Sequence, residues 1–136
     1  MDRIVGSAIE AGPALPRDWQ PAAVVSAGGR LWAIGGTRRP HEPVATVRVL
    51  EGEEWAPAPR LPRPLRDASV VVVDDGILVA GGLGTGAVFG PSEWLRDAWW
   101  LEVGADRWRA RERLPAPRAG ARGFVSPEGR VSFVGG

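Results

Sequence analysis

One stretch of the sequence recurs three times, and that recurrence constrains the fold more than any other property of the chain. Leu61 to Gly82 reads LPRPLRDASVVVVDDGILVAGG. Leu15 to Gly36 (LPRDWQPAAVVSAGGRLWAIGG) overlays it without a gap, and Leu114 to Gly136 (LPAPRAGARGFVSPEGRVSFVGG) overlays it with one extra residue. The glycine pairs that close the copies are spaced 46 residues apart from Gly35 to Gly81, and 54 from Gly81 to Gly135. A period of this length marks an array whose units each leave an apolar face to be buried by a neighbour.

Within each copy the pattern is strand, tight turn, strand. Ala22 to Ala27 and Leu31 to Ile34 flank Gly28-Gly29, while Ser69 to Val73 and Ile77 to Ala80 flank Asp74-Asp75-Gly76. Gly123 to Ser126 and Val131 to Val134 flank Pro127-Glu128-Gly129. Such turns connect hairpins because they tolerate positive φ. The run VVVV predicts a strand buried on both faces. After each glycine pair comes a polar, Gly/Pro-rich loop, and then a third strand, Ala45 to Leu50 or Asp97 to Val103. Fourth strands centre on Trp55 and Trp108; the prolines beside them place these strands outermost, because proline cannot donate to a central ladder. Ile9 precedes Leu15 by the same interval as Trp55 precedes Leu61, so residues 1–13 are expected to form a detached outer strand.

Composition agrees with an all-β chain. Nineteen Gly and thirteen Pro favour turns between short strands over long helices. The absence of Lys, Asn and Tyr is that of a GC-rich, bacterial-type composition, and the absence of Cys excludes disulfides, thiolate metal sites and cysteine nucleophiles. A net charge of +1 gives no basis for nucleic-acid binding. Arg107, Arg109, Arg111 and Arg113 alternate along a strand and read as one solvated face. The opening residues are interrupted by Gly6, Ser7 and Glu10, unlike a secretory signal, and no apolar run is long enough for a membrane helix. A cytoplasmic location and no membrane partner are expected.

The combination of an apolar hairpin ending in Gly-Gly, an Asp-containing third strand and a Trp some residues later resembles the kelch repeat. LRDAWWLEVGADRW, with Asp97 and Trp108, is similar to its third-to-fourth-strand segment; Leu50 and Leu101 stand where the repeat often carries Tyr. The resemblance implies four-stranded antiparallel blades of a β-propeller, with about two and a half blades present. Blade 1 is then residues 14–59, blade 2 residues 60–113, and the inner half of a third blade residues 114–136. Propellers close with four to eight blades. Completion by further C-terminal blades or by oligomerisation is therefore expected.

The same reading sorts the candidate residues. Gly35, Gly36, Gly81, Gly82, Gly135 and Gly136 are expected at strand ends with unusual backbone angles, and Trp55, Trp108 and Asp97 as structural repeat positions. The loops after the glycine pairs and the junctions between blades open on one side. That face gathers Arg38, Arg39, His41, Glu42, Arg66, Asp67, Phe89, Glu93, Trp94, Arg118 and Arg122 as candidate binding residues. The resemblance implies that this face meets a protein or peptide, and arginines there could equally fork onto the carboxylate of an anionic sugar, as in a kelch-type small-molecule enzyme resembling a sialic-acid mutarotase or in a carbohydrate binder. No catalytic residue, metal or cofactor is expected. A lone His41 cannot build a copper site, and the Tyr and Cys ligands of a galactose-oxidase-like centre are lacking.

Overall fold

The computed structural model describes residues 2–5, 8–38, 41–84 and 93–136, with residues 2–5 and 8–11 as backbone. Every regular element among them is a β-strand. The chain opens on the hairpin β1 (Asp2–Val5) and β2 (Ala8–Ala11). A two-residue β3 (Trp19–Gln20) leads to the hairpin β4 (Ala23–Ala27) and β5 (Arg30–Ile34). Short strands β6 (Thr37–Arg38) and β7 (Glu42–Pro43) follow, then β8 (Val47–Glu51) and β9 (Glu54–Pro57). The second unit repeats the order: β10 (Ser69–Val73), β11 (Gly76–Ala80), short β12 (Leu83–Gly84) and β13 (Glu93–Trp94), then β14 (Ala98–Glu102) and β15 (Arg109–Arg111). The chain ends on the hairpin β16 (Arg122–Val125) and β17 (Val131–Val134).

Two four-stranded antiparallel sheets result, in the orders β4-β5-β8-β9 and β10-β11-β14-β15. The third unit has only its first hairpin, β16-β17. The first strands of the three units, β4, β10 and β16, lie side by side, so successive sheets stack face against face. Between the first two sheets lies the main core. Trp32, Val47, Val49 and Leu61 from one side meet Ile77, Val79, Leu101 and Trp108 from the other, all nearly inaccessible to solvent. Between the second and third units the packing is smaller, formed by Ala80, Ala98 and Leu114 with Leu78 and Phe133 against them.

The repeat is reproduced bond by bond. Gly35 donates to the Thr46 carbonyl and Gly81 to that of Asp97, both at 2.8 Å; Gly36 donates to Leu65 at 2.7 Å and Gly82 to Arg118 at 2.6 Å. All four glycines, and Gly135 and Gly136, have positive φ. A β-carbon on Gly36 would collide with the Gln20 carbonyl oxygen, and one on Gly81 with that of Arg118. In the first two pairs the first glycine passes against the backbone of the next unit and the second against the segment that enters its own unit, approaches that a residue without a side chain permits.

Several expectations change. The N-terminal segment is a hairpin rather than a single strand. Its pairs Val5↔Ala8, Ile4↔Ile9, Arg3↔Glu10 and Asp2↔Ala11 reproduce Glu51↔Glu54, Leu50↔Trp55, Val49↔Ala56 and Arg48↔Pro57 of the β8-β9 hairpin. In the second hairpin Asp74, not Gly76, takes the positive φ of 51°. Gly76 is needed instead because the Trp100 ring lies where its β-carbon would be. The valine strand is less buried than its composition predicts: Val71, which the third unit meets at Gly123, is buried, while Val70 and Val72, packed against the main core, and Val73 are half-buried. Arg107, Arg109, Arg111 and Arg113 are all exposed, as a solvated face requires, and two of them also make contacts. Arg111 lies over the Trp100 ring at 5.0 Å, and Arg113 is drawn to Asp97 at 3.2 Å.

Candidate functional site

The short strands after the glycine pairs build a rim. Trp19↔Arg38 and Gln20↔Thr37, then Thr37↔Pro43 and Arg38↔Glu42, make one three-stranded patch. Leu83↔Trp94 and Gly84↔Glu93 make the second. The junction between the first two units joins them, since Val44 bridges to Leu65 and the next residue, Arg66, bridges to Leu83. Arg66 and Leu83 exchange both backbone bonds, at 3.0 and 2.8 Å. The glycine pairs force this geometry. Each strand turns at its Gly-Gly and must run over the following junction before it can return as the third strand.

On this rim the structure brings together Arg38, Glu42, Arg66, Asp67, Glu93 and Trp94 by backbone pairing. Arg38 lies 3.7 Å from the Asp18 carboxylate, and Arg66 lies 3.6 Å from that of Asp67. Asp67 has a φ of 55°, a conformation uncommon outside glycine, and its carbonyl accepts from Gly120 at 2.7 Å. The next junction repeats the shape with Gly120, whose φ is 72°. His41 is exposed beside Glu42. Arg39 and Phe89 lie outside the described residues. Arg122 stands apart from the rim patches, at the start of β16 opposite Val134.

Arg118 has a second duty. Its Nη1 donates to the Gly135 carbonyl at 2.8 Å, as Trp19 Nε1 donates to the Gly35 carbonyl at 2.7 Å. Trp19 and Arg118 occupy the same repeat position. Trp19, which is unmatched by an aromatic in the other copies, is a buried cap on a strand end.

Trp94 is the aromatic that stands out, 57% exposed on the second rim patch. Beside it is a charged cluster that sequence reasoning left out. Arg63 Nη2 donates to Glu93 Oε2 at 2.8 Å, and its Nη1 lies 3.6 Å from Asp97 Oδ2. Arg113 Nε holds the other oxygen of Asp97. Asp97 therefore receives an arginine from each junction flanking its own unit. Arg63 could have been marked only by its place in LPRPLRD, since its partners lie 30 residues or more along the chain.

A hollow of about 500 Å³ opens behind the first patch, lined by Arg38, Glu42, Arg48 and Arg60 with Pro57 and Pro64. Among the described residues no group of three His, Asp or Glu side chains could hold a metal ion, and no helix is long and apolar enough to cross a membrane. The chain matches no protein-family model, and no curated protein matches it.

Proposed function

We propose that the chain is a kelch-type propeller module whose rim binds a protein or peptide, with no reaction of its own. The observation that carries this reading is Trp94, a large aromatic side chain left more than half exposed beside the Arg63–Glu93 pair on a backbone-braced surface. Aromatic anchors ringed by charge carry most of the energy of protein contacts. An exposed tryptophan with no packing duty in the repeat otherwise leaves apolar area in water. Arg38 and Arg66 on the same rim favour a partner carrying carboxylates.

The test is a peptide-display selection on the immobilised chain, followed by titration of the selected peptides. Peptides are expected to be enriched in Asp or Glu next to an apolar residue, and to bind Trp94→Ala at least about tenfold more weakly, the loss of one modest contact. Selected peptides that bind Trp94→Ala as well as the parent chain would contradict the reading.

A second reading, an anionic-sugar site, is favoured by one observation, the gathering of Arg38, Arg48 and Arg60 around the hollow with Glu42. Thermal stabilisation by sialic acid, lost in Arg48→Ala and Arg60→Ala, would establish it. No shift in the parent chain would remove it.

A further inference from the structure

We infer that the hollow behind the first rim patch is a carboxylate-binding site, in which a ligand carboxylate takes the place that the Asp97 side chain holds in the second unit. This site belongs to the rim proposed above as a surface for carboxylate-bearing partners and rests on that reading, but Trp94 takes no part in it. In the second unit Asp97 is held by Arg113 Nε at 3.2 Å and lies 3.6 Å from Arg63 Nη1. The first unit has a counterpart for each of these residues, and backbone bonds fix two of the three. Gly35 donates to Thr46 as Gly81 donates to Asp97, and Leu61 donates to the Ala45 carbonyl at 2.9 Å as Leu114 donates to that of Arg96 at 2.8 Å. Thr46 therefore stands where Asp97 stands, and Arg60, the residue before Leu61, stands where Arg113 stands. Arg17 is the counterpart of Arg63 in the aligned copies. The arginines are repeated, and the acid between them is not.

The neighbour on the same strand face changes as well. Side chains two residues apart on a strand share a face, which puts Asp97 with Trp99 and Thr46 with Arg48. Trp99 is packed against the main core, whereas Arg48 lines the hollow with Arg38, Thr46 and Arg60. Asp97, Trp99 and Arg113 together carry no net charge, while Thr46, Arg48 and Arg60 carry two positive charges. Glu42 is the one acid in the lining. Among the described residues no ion pair involves Arg17, Glu42, Arg48 or Arg60.

Two guanidinium groups without an acid of their own, beside a hydroxyl, are the donor set a carboxylate takes. Guanidinium groups fork onto its two oxygens, and a threonine hydroxyl adds one more donor. The place is open to solvent in a packed unit, since the Asp97 and Arg113 side chains keep 24% and 61% exposure with the first unit beside them. Pro64 lines the hollow, and its neighbour Arg63 holds Glu93 beside Trp94. The hollow and the Trp94 patch thus flank the same junction. The carboxylate has two possible sources, an Asp or Glu side chain of a peptide and a sugar acid.

The test follows the arginine Nε–Hε NMR signals of the full chain during titration with N-acetylglutamate methylamide and with its neutral isostere, N-acetylglutamine methylamide. The Arg48 and Arg60 signals are expected to shift with the acid and not with the amide. Thr46→Asp restores the acid that the second unit carries; it is expected to fold and to weaken the Arg60 response at least about tenfold, because the new carboxylate holds that guanidinium itself. Arg60→Gln, a change at an exposed residue, is expected to weaken the Arg48 response as much and serves if Thr46→Asp does not fold. Sialic acid in place of the capped glutamate separates the sources: saturation at a lower concentration assigns the site to a sugar acid, and at a higher one to a peptide. No shift with either carboxylate, equal shifts with the acid and the amide, or a response undiminished in Arg60→Gln would overturn the site. Selected peptides that bind Trp94→Ala weakly but Thr46→Asp and Arg60→Gln as well as the parent chain would overturn it and leave the Trp94 reading standing, whereas carboxylate shifts at Arg60 with peptides indifferent to Trp94→Ala would do the reverse.

Discussion

Trp108 Nε1 donates to the Pro59 carbonyl at 2.8 Å, and Trp55 makes the same bond to Pro13 at 3.1 Å. Pro13 and Pro59 each stand two residues before the leucine that opens a repeat. The outer strand of each unit is thus fastened to the chain that enters that unit, by the one polar atom of a ring otherwise given to packing. Removing that atom alone should be measurable. Trp108→Phe keeps most of the apolar contact and is expected to cost about 1–2 kcal/mol, a part-buried bond with one partner deleted. Trp108→Ala is expected to cost about 3–5 kcal/mol, as for other buried tryptophans. Urea unfolding of the two variants separates the contributions.

The glycines divide into two kinds. Gly36 (φ 92°) has backbone of the preceding segment where a β-carbon would go, while Gly29 (φ 75°) has open space. Gly29→Ala should therefore cost only the left-handed backbone penalty, about 1–2 kcal/mol. Gly36→Ala should cost more than that, because the β3 segment must move, and a smaller denaturation midpoint for Gly36→Ala than for Gly29→Ala checks it.

Asp97 holds Arg63 and Arg113 with one oxygen each, and its side chain is 24% exposed. Partial exposure screens both pairs, so each is worth less than about 1 kcal/mol. Asp97→Asn is expected to lower stability by about 1 kcal/mol at low salt and by less at high salt, since screening weakens the pairs it removes. A double-mutant cycle with Arg63→Ala measures the coupling directly.

Ser69 is the buried polar residue of the core, and its Oγ donates to the Ala121 carbonyl at 2.6 Å, tying the second unit to the third. Ser69→Ala leaves that carbonyl without its partner and is expected to cost about 1–3 kcal/mol. Because the bond spans two units, proteolysis should then begin within residues 114–136, a shift that limited digestion and mass spectrometry would detect.

What the sequence made legible was whatever repeats locally. The glycine pairs, the hairpin turns and the equivalence of Trp55 and Trp108 follow from spacing alone, and the two sheets have the expected strand order. Features depending on partners distant in the chain were not legible. Arg63 is an ordinary junction arginine until Glu93 and Asp97 are folded beside it, and Trp19 resembles an unmatched surface aromatic until Gly35 presents its carbonyl. The N-terminal hairpin was hidden for a different reason. Gly6-Ser7 reads as a break in a short apolar run, and only the pairing of Asp2–Val5 with Ala8–Ala11, in the register of β8-β9, shows two strands there. At Gly76, Asp-Gly reads as a turn signal, whereas the constraint at that position is the Trp100 ring on the neighbouring strand.

The central claim is that the three units are equivalent members of one array, the third docked on the second as the second is docked on the first. Amide hydrogen exchange at Gly36 and Gly82 tests it most directly, because these amides donate across the two junctions, to Leu65 and Arg118. Exchange through local opening reports each junction separately. Protection of the same order at both glycines is the predicted result. Protection at Gly36 with unprotected exchange at Gly82 would contradict the account.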